Sequence, residues 1–212
     1  MVAIYVLVFV VIIAIVFLVW WFNADTKAKR KIKNTPVVSV ADIQEGALVK
    51  VVGAVDCACE PMKAPLSGRA CTFFRVKVSE YRRRGKNSSY VTIIDDTDGV
   101  EFIVSDNTGG AFVDPSLVRA VLDQDAKFNS GLMSGAAENL EAYLNAHGRS
   151  SKGIIFNKSM KYYEGVVEPG EMVAVVGVAH WDTAGRDRVL RIKAPNDGPV
   201  LLTDIPKYTR TG

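Results

Sequence analysis

Residues 1–22 are all apolar or aromatic. A helix rises about 1.5 Å per residue, so a run of this length can cross a hydrocarbon core of roughly 30 Å. Tyr5, Trp20 and Trp21 lie towards the two ends of the run, where amphipathic rings favour the headgroup regions. The run does not start with the basic residues of a cleaved secretory signal. The pattern therefore predicts a transmembrane helix over residues 1–22 that stays on the protein.

Basic residues follow this run directly, whereas nothing charged precedes it. They are Lys27, Lys29, Arg30, Lys31 and Lys33, with Asp25 as the one acidic residue in the same stretch. This asymmetry predicts that the amino terminus is outside and that the rest of the chain is cytoplasmic. We read residues 23–36 as a basic juxtamembrane linker. The membrane lipid bilayer is then a predicted partner, although topology alone accounts for the basic cluster without specific lipid recognition.

The pattern changes to a β-type alternation once the folded domain begins at residue 37. Phe74, Val76 and Val78 alternate with polar residues, as in a half-buried strand. The turn-rich stretch 82–88 separates them from residues 90–94, which predicts a hairpin. An Asp-Gly turn at 95–99 then predicts a second hairpin, with residues 100–104 as its return strand.

Helical spacing interrupts this alternation. Asp114 and Pro115 form the preferred cap and first-turn pair of a helix, and the apolar residues at 117, 118, 121 and 122 recur at helical spacing. Residues 138–146 predict another helix, with Leu140, Tyr143 and Leu144 on one face. We therefore expect a helical insertion around residues 114–147. We expect the domain to end at residue 206, with 207–212 as a tail.

Two segments of the chain repeat each other. Residues 46–55 match residues 170–179 in their glycines and apolar positions. A glycine inside a strand often marks a bulge or bend where the strand curls into a small barrel. The expected fold is thus a mainly β (α+β) domain built on a small coiled β-barrel, OB-like, behind a single amino-terminal transmembrane helix. Such a barrel implies no particular ligand.

The net charge and the cysteine pattern of the chain argue against several classes of function. The chain carries a net charge of +3 and residues 23–33 carry +4, so about −1 remains for the rest, which argues against a nucleic-acid partner. Cys57 and Cys59 form at most half of a metal site, and Cys71 lacks the turn of a nucleophile. The odd count of three cysteines suits reduced thiols in a cytoplasm. We predict no catalytic residue, no metal and no cofactor.

With these motifs in view, residues 36–206 resemble the GIDE domain, also called the BAM (beside a membrane) domain, of membrane-anchored E3 ubiquitin ligases and their prokaryotic relatives. The likeness rests on the order and spacing of short motifs. Their residues are Gly46, Gly53, Pro65, Leu66, Gly68, Arg69, Cys71, Arg75, Asp106, Gly109, Asp114, Pro115, Tyr163, Glu164, Gly170 and Gly177.

The resemblance implies a recognition module beside a membrane. The eukaryotic ligases add a RING finger with eight Cys and His ligands, but this chain has three Cys and two His in total. The leading hypothesis is therefore a non-catalytic, membrane-tethered cytoplasmic module that binds a protein partner at the membrane surface. One alternative is a ubiquitin-ligase-like component that needs a RING from another chain. A third hypothesis, a hydrolase that uses Cys71 with His147 or His180, is disfavoured.

Overall fold

A computed structural model describes residues 23–84, 87–123, 126–129, 134–149, 159–184 and 187–210, together with the isolated positions Tyr5 and Phe9. The predicted transmembrane run 1–22 therefore lies outside the described residues apart from those two positions. Among the described residues, no helix combines the length and the apolar character that a membrane crossing requires. The described chain is mainly β, as predicted.

The strands and helices are as follows in the described part of the chain. The strands are β1 (Leu48–Cys57), β2 (Met62–Lys63), β3 (Ala70–Cys71), β4 (Phe73–Arg84), β5 (Asn87–Gly99), β6 (Phe102–Asp106), β7 (Gly109–Val113), β8 (Val118–Ala120), β9 (Ala126–Asn129), β10 (Met160–Val167), β11 (Met172–Ala184), β12 (Asp187–Lys193) and β13 (Val200–Thr203). The α-helices are α1 (Ala24–Asn34), α2 (Ser134–Ala146) and α3 (Pro206–Thr209).

Five of the described strands close into a barrel, which confirms the prediction of a β-barrel. Their order around the barrel is β1-β6-β7-β12-β11, and β11 pairs again with β1. All these pairings are antiparallel except the one between β7 and β12. The alternating apolar residues of these strands, including Val51, Phe102, Val104, Val175 and Ile192, fill the interior. β13 and β8 extend the sheet beyond β11.

The two repeated segments are partners in this barrel. They form most of β1 and β11, which pair antiparallel from Leu48 opposite Val178 to Ala54 opposite Met172. A Cβ at Gly53 would collide with the backbone carbonyl of Ser105. This is where the pairing of β1 passes from β11 to β6. Strands β1 and β6 approach too closely here for any side chain, which accounts for a glycine at this position.

Two insertions between barrel strands build a second, four-stranded sheet with the order β5-β4-β10-β9. The first insertion joins β1 to β6 and supplies β4 and β5; the second joins β7 to β11 and supplies β9, α2 and β10. The predicted β4–β5 hairpin and the predicted helix at 138–146 are confirmed. Val76 and Val78 face Leu144 of α2 in a second apolar core, as their alternation requires.

The predicted helix from Asp114 is wrong. The side chain of Asp114 does accept a hydrogen bond from Ser116 N at 2.9 Å, but only the 3₁₀ turn Pro115–Leu117 follows. Val118 then starts β8, which pairs parallel with β13. β-branched residues such as Val118 and Val121 favour strands, and the exposed edge of β13 satisfies their backbone groups. The insertion 114–147 is accordingly a mixture of strands and one described helix.

The Asp-Gly hairpin turn at 95–99 is also wrong. These residues continue β5 to Gly99, and the chain then crosses from the four-stranded sheet to the barrel. β6 does form a hairpin, but its partner is β7. The carboxylates of this segment are used by other elements, because Arg75 binds Asp95 and Tyr143 binds Asp96.

The boundaries of the domain differ from the prediction at both ends. Residues 24–34 form helix α1 rather than a linker, and α3 replaces the start of the tail, with Tyr208 buried. Ala28 and Ile32 of α1 pack with Val176, Tyr208 and others in a third apolar cluster. The carbonyl of Ile32 accepts a hydrogen bond from Lys50 Nζ at 3.2 Å. Helix α1 is therefore docked on the barrel.

Candidate functional site

A buried carboxylate holds the loop that carries the Pro-Leu-Ser-Gly-Arg motif. Glu164 lies on β10 and is fully buried. Its two oxygens accept hydrogen bonds from the backbone N–H groups of Leu66, at 2.8 Å, and Ser67, at 3.0 Å. Because both oxygens accept, the arrangement fits an ionised carboxylate. The structure thus brings together two motifs that are about 100 residues apart in the sequence.

The remainder of this loop is also fixed by motif residues. Gly68 has a φ of +72°, in the left-handed region that glycine adopts without strain, and its N–H donates to the carbonyl of Ala64 at 2.9 Å. Arg69 Nη1 reaches Glu168 Oε1 at 2.9 Å across the surface. These bonds hold the motif loop in place on the domain.

Cys71, the last residue of this motif, is buried in the core of the second sheet. Burial, together with the negative charge of Glu164, raises the pKa of the Cys71 thiol to about 11. At neutral pH it is a thiol and a poor nucleophile. His147 and His180 use their ring nitrogens elsewhere: His147 contacts Asp96 and the carbonyl of Tyr143.

His180 lies between two carboxylates, Glu45 at 2.6 Å and Asp182 at 3.1 Å. The hypothesis of a cysteine hydrolase gains no support from either histidine. Among the described residues, no group of three His, Cys, Asp or Glu side chains is arranged to hold a metal ion.

Asp106 also binds backbone N–H groups of other segments, at the turn between β6 and β7. Its oxygens accept from the backbone N–H groups of Val40 at 2.9 Å, Thr108 at 2.7 Å and Gly109 at 3.0 Å. Burial alone would raise the pKa of Asp106, but these bonds and the Thr108 hydroxyl hold it below its ordinary value. Asp106 thereby caps the 3₁₀ turn Val40–Asp42, for which the side chain of Ser39 makes no capping bond.

The remaining motif residues are structural in the same sense. Gly46 and Gly170 have φ values of +76° and +87° in the turns that precede β1 and β11. A Cβ on Gly177 would collide with Ile192 on the neighbouring strand. None of these positions presents a reactive side chain.

Arg75 is the motif residue at the centre of a surface cleft. It lies on β4, on the face opposite the second core, and it is mostly buried. Its Nε and Nη2 bind the two oxygens of Asp95 at 2.8 and 2.9 Å, and its Nη1 binds the carbonyl of Ala120 at 2.8 Å. Asp25, on the first turn of α1, lies 3.4 Å from the same Nη1. Arg75 therefore joins α1, β5 and β8 to β4.

We call this region the Arg75 cleft. It consists of two depressions, of about 220 and 130 Å³, which share Arg75. The first is lined by Asp95, Thr97, Val118, Arg119 and Ala120, and the second by Asp25, Lys29, Lys77, Val121, Leu122, Asp123, Tyr163 and Gly165. Burial would raise the pKa of Asp95, but the bonded Arg75 guanidinium holds it below its ordinary value.

Sequence reasoning identified Arg75 and Tyr163 but missed Asp95, Asp25 and Arg119. Asp95 lies opposite Lys77 on β5, one diagonal step from Arg75, and such a cross-strand neighbour follows from register alone. The sequence pattern places Asp25 in the predicted linker. Nothing in the sequence relates either residue to Arg75 without the fold.

The residues predicted to flank the membrane differ in their exposure. Lys27, Lys29 and Lys33 are exposed on α1, while Arg30 and Lys31 are half-buried. Lys31 Nζ bonds Asp197 at 2.8 Å. Trp20 and Trp21 lie outside the described residues. The basic residues therefore belong to a helix that packs on the domain.

No protein-family model, characterised protein or solved structure matches this chain. The resemblance to the GIDE domain accordingly stays a prediction that rests on the motifs themselves.

Proposed function

We propose that this chain is a membrane-tethered interaction module of the GIDE type, in which residues 1–22 span the bilayer and the domain lies in the cytoplasm. The observation that carries the proposal is the docking of α1. The helix begins two residues after the proposed span, and its Ala28 and Ile32 are buried against the domain. A domain attached in this way stays close to the proposed span, which suits recognition at the membrane surface.

The contacts of the motif residues favour a structural role for them over a catalytic one. Glu164, Asp106 and Arg75 direct their charges at backbone groups or at other side chains of the same domain. Both histidines, the candidate bases, contact carboxylates or a backbone carbonyl. We also propose that the barrel is of the OB type, because its first three strands are followed around the barrel by the fifth and then the fourth.

Two measurements on the full chain in native membranes test the anchor. The protein should resist extraction by alkaline carbonate, and a protease added to the cytoplasmic side should remove a carboxyl-terminal epitope tag. The matched control is an Ile13→Arg variant, which places a charge in the middle of the proposed span and should lower carbonate resistance. Release of the unmodified chain by carbonate would contradict the span, and protection of the tag would contradict the orientation.

The interaction role is tested by cross-linking the chain in the same membranes. A reproducible protein partner at the membrane surface supports the module. Recovery of a RING-containing partner, together with stimulation of ubiquitin conjugation in a reconstituted assay, would instead favour the ligase-like component. If no reproducible partner were recovered, the module would have lost its main support.

A further inference from the structure

The hairpin of β4 and β5 extends beyond the other described strands of the second sheet. β10 pairs with β4 as far as Glu80, which lies opposite Met160, whereas β4 and β5 stay paired up to Arg84 opposite Asn87. The end of the hairpin is therefore a two-stranded ribbon, and such a ribbon by itself is only marginally stable in water. Its exposed side chains are a candidate contact surface.

Two tyrosines lie on one face of this ribbon. Tyr81 and Tyr90 are directly opposite each other in the register, with ring centroids 5.3 Å apart, and they are 40% and 41% exposed. Lys161 of β10 lies on the same face, with its Nζ 4.1 Å from the ring centroid of Tyr90. Arg83 is exposed two residues after Tyr81, and the alternation of β4 places it on this face as well. We call Tyr81, Arg83, Tyr90 and Lys161 the tyrosine patch.

The charge of the hairpin is opposite to that of the rest of the domain. Residues 79–92 contain four basic residues and one acidic residue, which gives a net charge of +3. The acidic residue, Glu80, points to the other face of the ribbon, where it binds Arg82 at 2.9 Å. Residues 34–212 carry −1 in total, so those outside 79–92 carry −4. An anionic surface would attract the hairpin end of the domain and repel the remainder.

The proposed span leaves the domain on the same side of the second sheet. β4 pairs with β10 without interruption from Phe73 to Glu80, so Arg75 and Tyr81, six residues apart, share one face at a separation of about 20 Å. Asp25, on the first turn of α1, lies 3.4 Å from Arg75 Nη1. Because the proposed span ends three residues before Asp25, a bilayer that contains the span can also contact the tyrosine patch.

We propose that the tyrosine patch docks on the headgroup region of an anionic bilayer, beside the span of the same chain. Tyrosine has an apolar ring and a polar hydroxyl and favours the membrane–water interface, and basic side chains are attracted to anionic lipids. The contact is with the bilayer surface rather than with one bound lipid. This proposal rests on the proposed membrane anchor, to which the patch adds a second contact that orients the domain.

The test is photo-cross-linking of the full chain in lipid nanodiscs, with benzoylphenylalanine in place of either Tyr90 or Val91. These positions are a matched pair, because they are 41% and 38% exposed but point to opposite faces of the ribbon. In nanodiscs that contain phosphatidylglycerol we expect lipid adducts at position 90 and few at position 91. The yield at position 90 should fall in phosphatidylcholine alone and in Arg83→Gln, since one charge beside an anionic surface changes the docking equilibrium up to about fivefold.

Lys193→Gln is the charge control, because Lys193 is exposed on β12 of the barrel and its loss should leave the yield unchanged. Equal lipid yields at positions 90 and 91, adducts at neither position, or equal yields with and without phosphatidylglycerol would overturn the proposal. Adducts to a protein instead of lipid in native membranes would also overturn it, in favour of a protein interface. Retention of the chain in the nanodisc reports the anchor separately, so a retained chain without lipid adducts would refute the docking and leave the anchor intact.

Discussion

Replacing Glu164 by glutamine tests whether the buried carboxylate supports the motif loop. Glutamine keeps the size of the side chain and one oxygen, which can still accept from Leu66 N. Its amide nitrogen is a donor, so it would face the donor N–H of Ser67, which now lies 3.0 Å from a carboxylate oxygen. The substitution therefore removes the hydrogen bond from Ser67 and leaves the one from Leu66 with a neutral acceptor.

The magnitude follows from the two bonds. A hydrogen bond to a charged group contributes about 1.5–3 kcal/mol, and a buried donor without an acceptor costs about 1–3 kcal/mol. Burying a neutral amide instead of a charge offsets part of this loss. We expect Glu164→Gln to lower the free energy of unfolding by about 2–4 kcal/mol. For a chain of this size that corresponds to a fall in Tm of about 4–16 °C.

The assay is thermal unfolding of the full chain in detergent, combined with hydrogen exchange of residues 64–71. The amides of Leu66 and Ser67 should exchange faster in Glu164→Gln. Glu168→Gln is the matched control, since Glu168 has a surface pair with Arg69 at 2.9 Å and is 43% exposed, and its loss should cost less than about 1 kcal/mol. Equal melting temperatures and equal exchange in the two variants would refute the role assigned to Glu164.

Three further changes test other parts of the structure. Gly53→Ala should destabilise the barrel by about 1–3 kcal/mol in thermal unfolding, whereas Gly198→Ala, which meets open space, should not. Ile32→Ala should cost about 2–5 kcal/mol and speed hydrogen exchange in α1; unchanged exchange would show that the helix is not held by this side chain. Because hydrogen bonds outweigh burial and lower the pKa of Asp106, its stabilisation is complete above about pH 4 and is lost as the pH falls through the folded pKa. Tm should therefore fall more between about pH 5 and pH 3 in the wild type than in Asp106→Asn.

Local pattern predicted the strands well because their burial alternates. Val76, Phe102 and Val104 are buried and their chain neighbours are only partly buried, so a two-residue period is visible in the sequence. The repeated glycines Gly53 and Gly177 lie where neighbouring strands leave no space for a side chain. These features depend on short-range geometry, which the order of residues contains directly.

Pairing between distant strands was not visible in the same way. Two contacts depend on the register of β4 with β10 and β5, which no local pattern specifies. They are the hydrogen bonds of Glu164 to the motif loop and the ion pair of Arg75 with Asp95. Val118 also shows that local pattern does not determine strand pairing. Its helical spacing with Leu122 was real, but the edge of β13 offered its backbone a parallel partner and so decided the conformation.

Helix α1 was missed because its apolar face is narrow. Only Ala28 and Ile32, four residues apart, are buried among mostly charged neighbours. The signal that was present is Asn23, whose side chain accepts from Asp25 N at 3.0 Å and starts the helix. A polar composition therefore does not by itself indicate a linker when a capping residue and an apolar pair at helical spacing coincide.

The docking of α1 changes what the proposed anchor does to the domain. A flexible linker over residues 23–36 would have an end-to-end distance of about 20 Å and would let every face of the barrel meet the bilayer. An 11-residue helix is only about 16 Å long, and it is attached to the barrel through Ala28, Ile32 and the bond from Lys50. The two lengths are similar, so the main effect of the helix is on orientation rather than reach. A partner at the membrane surface would consequently meet fewer faces of the domain than a flexible linker would present.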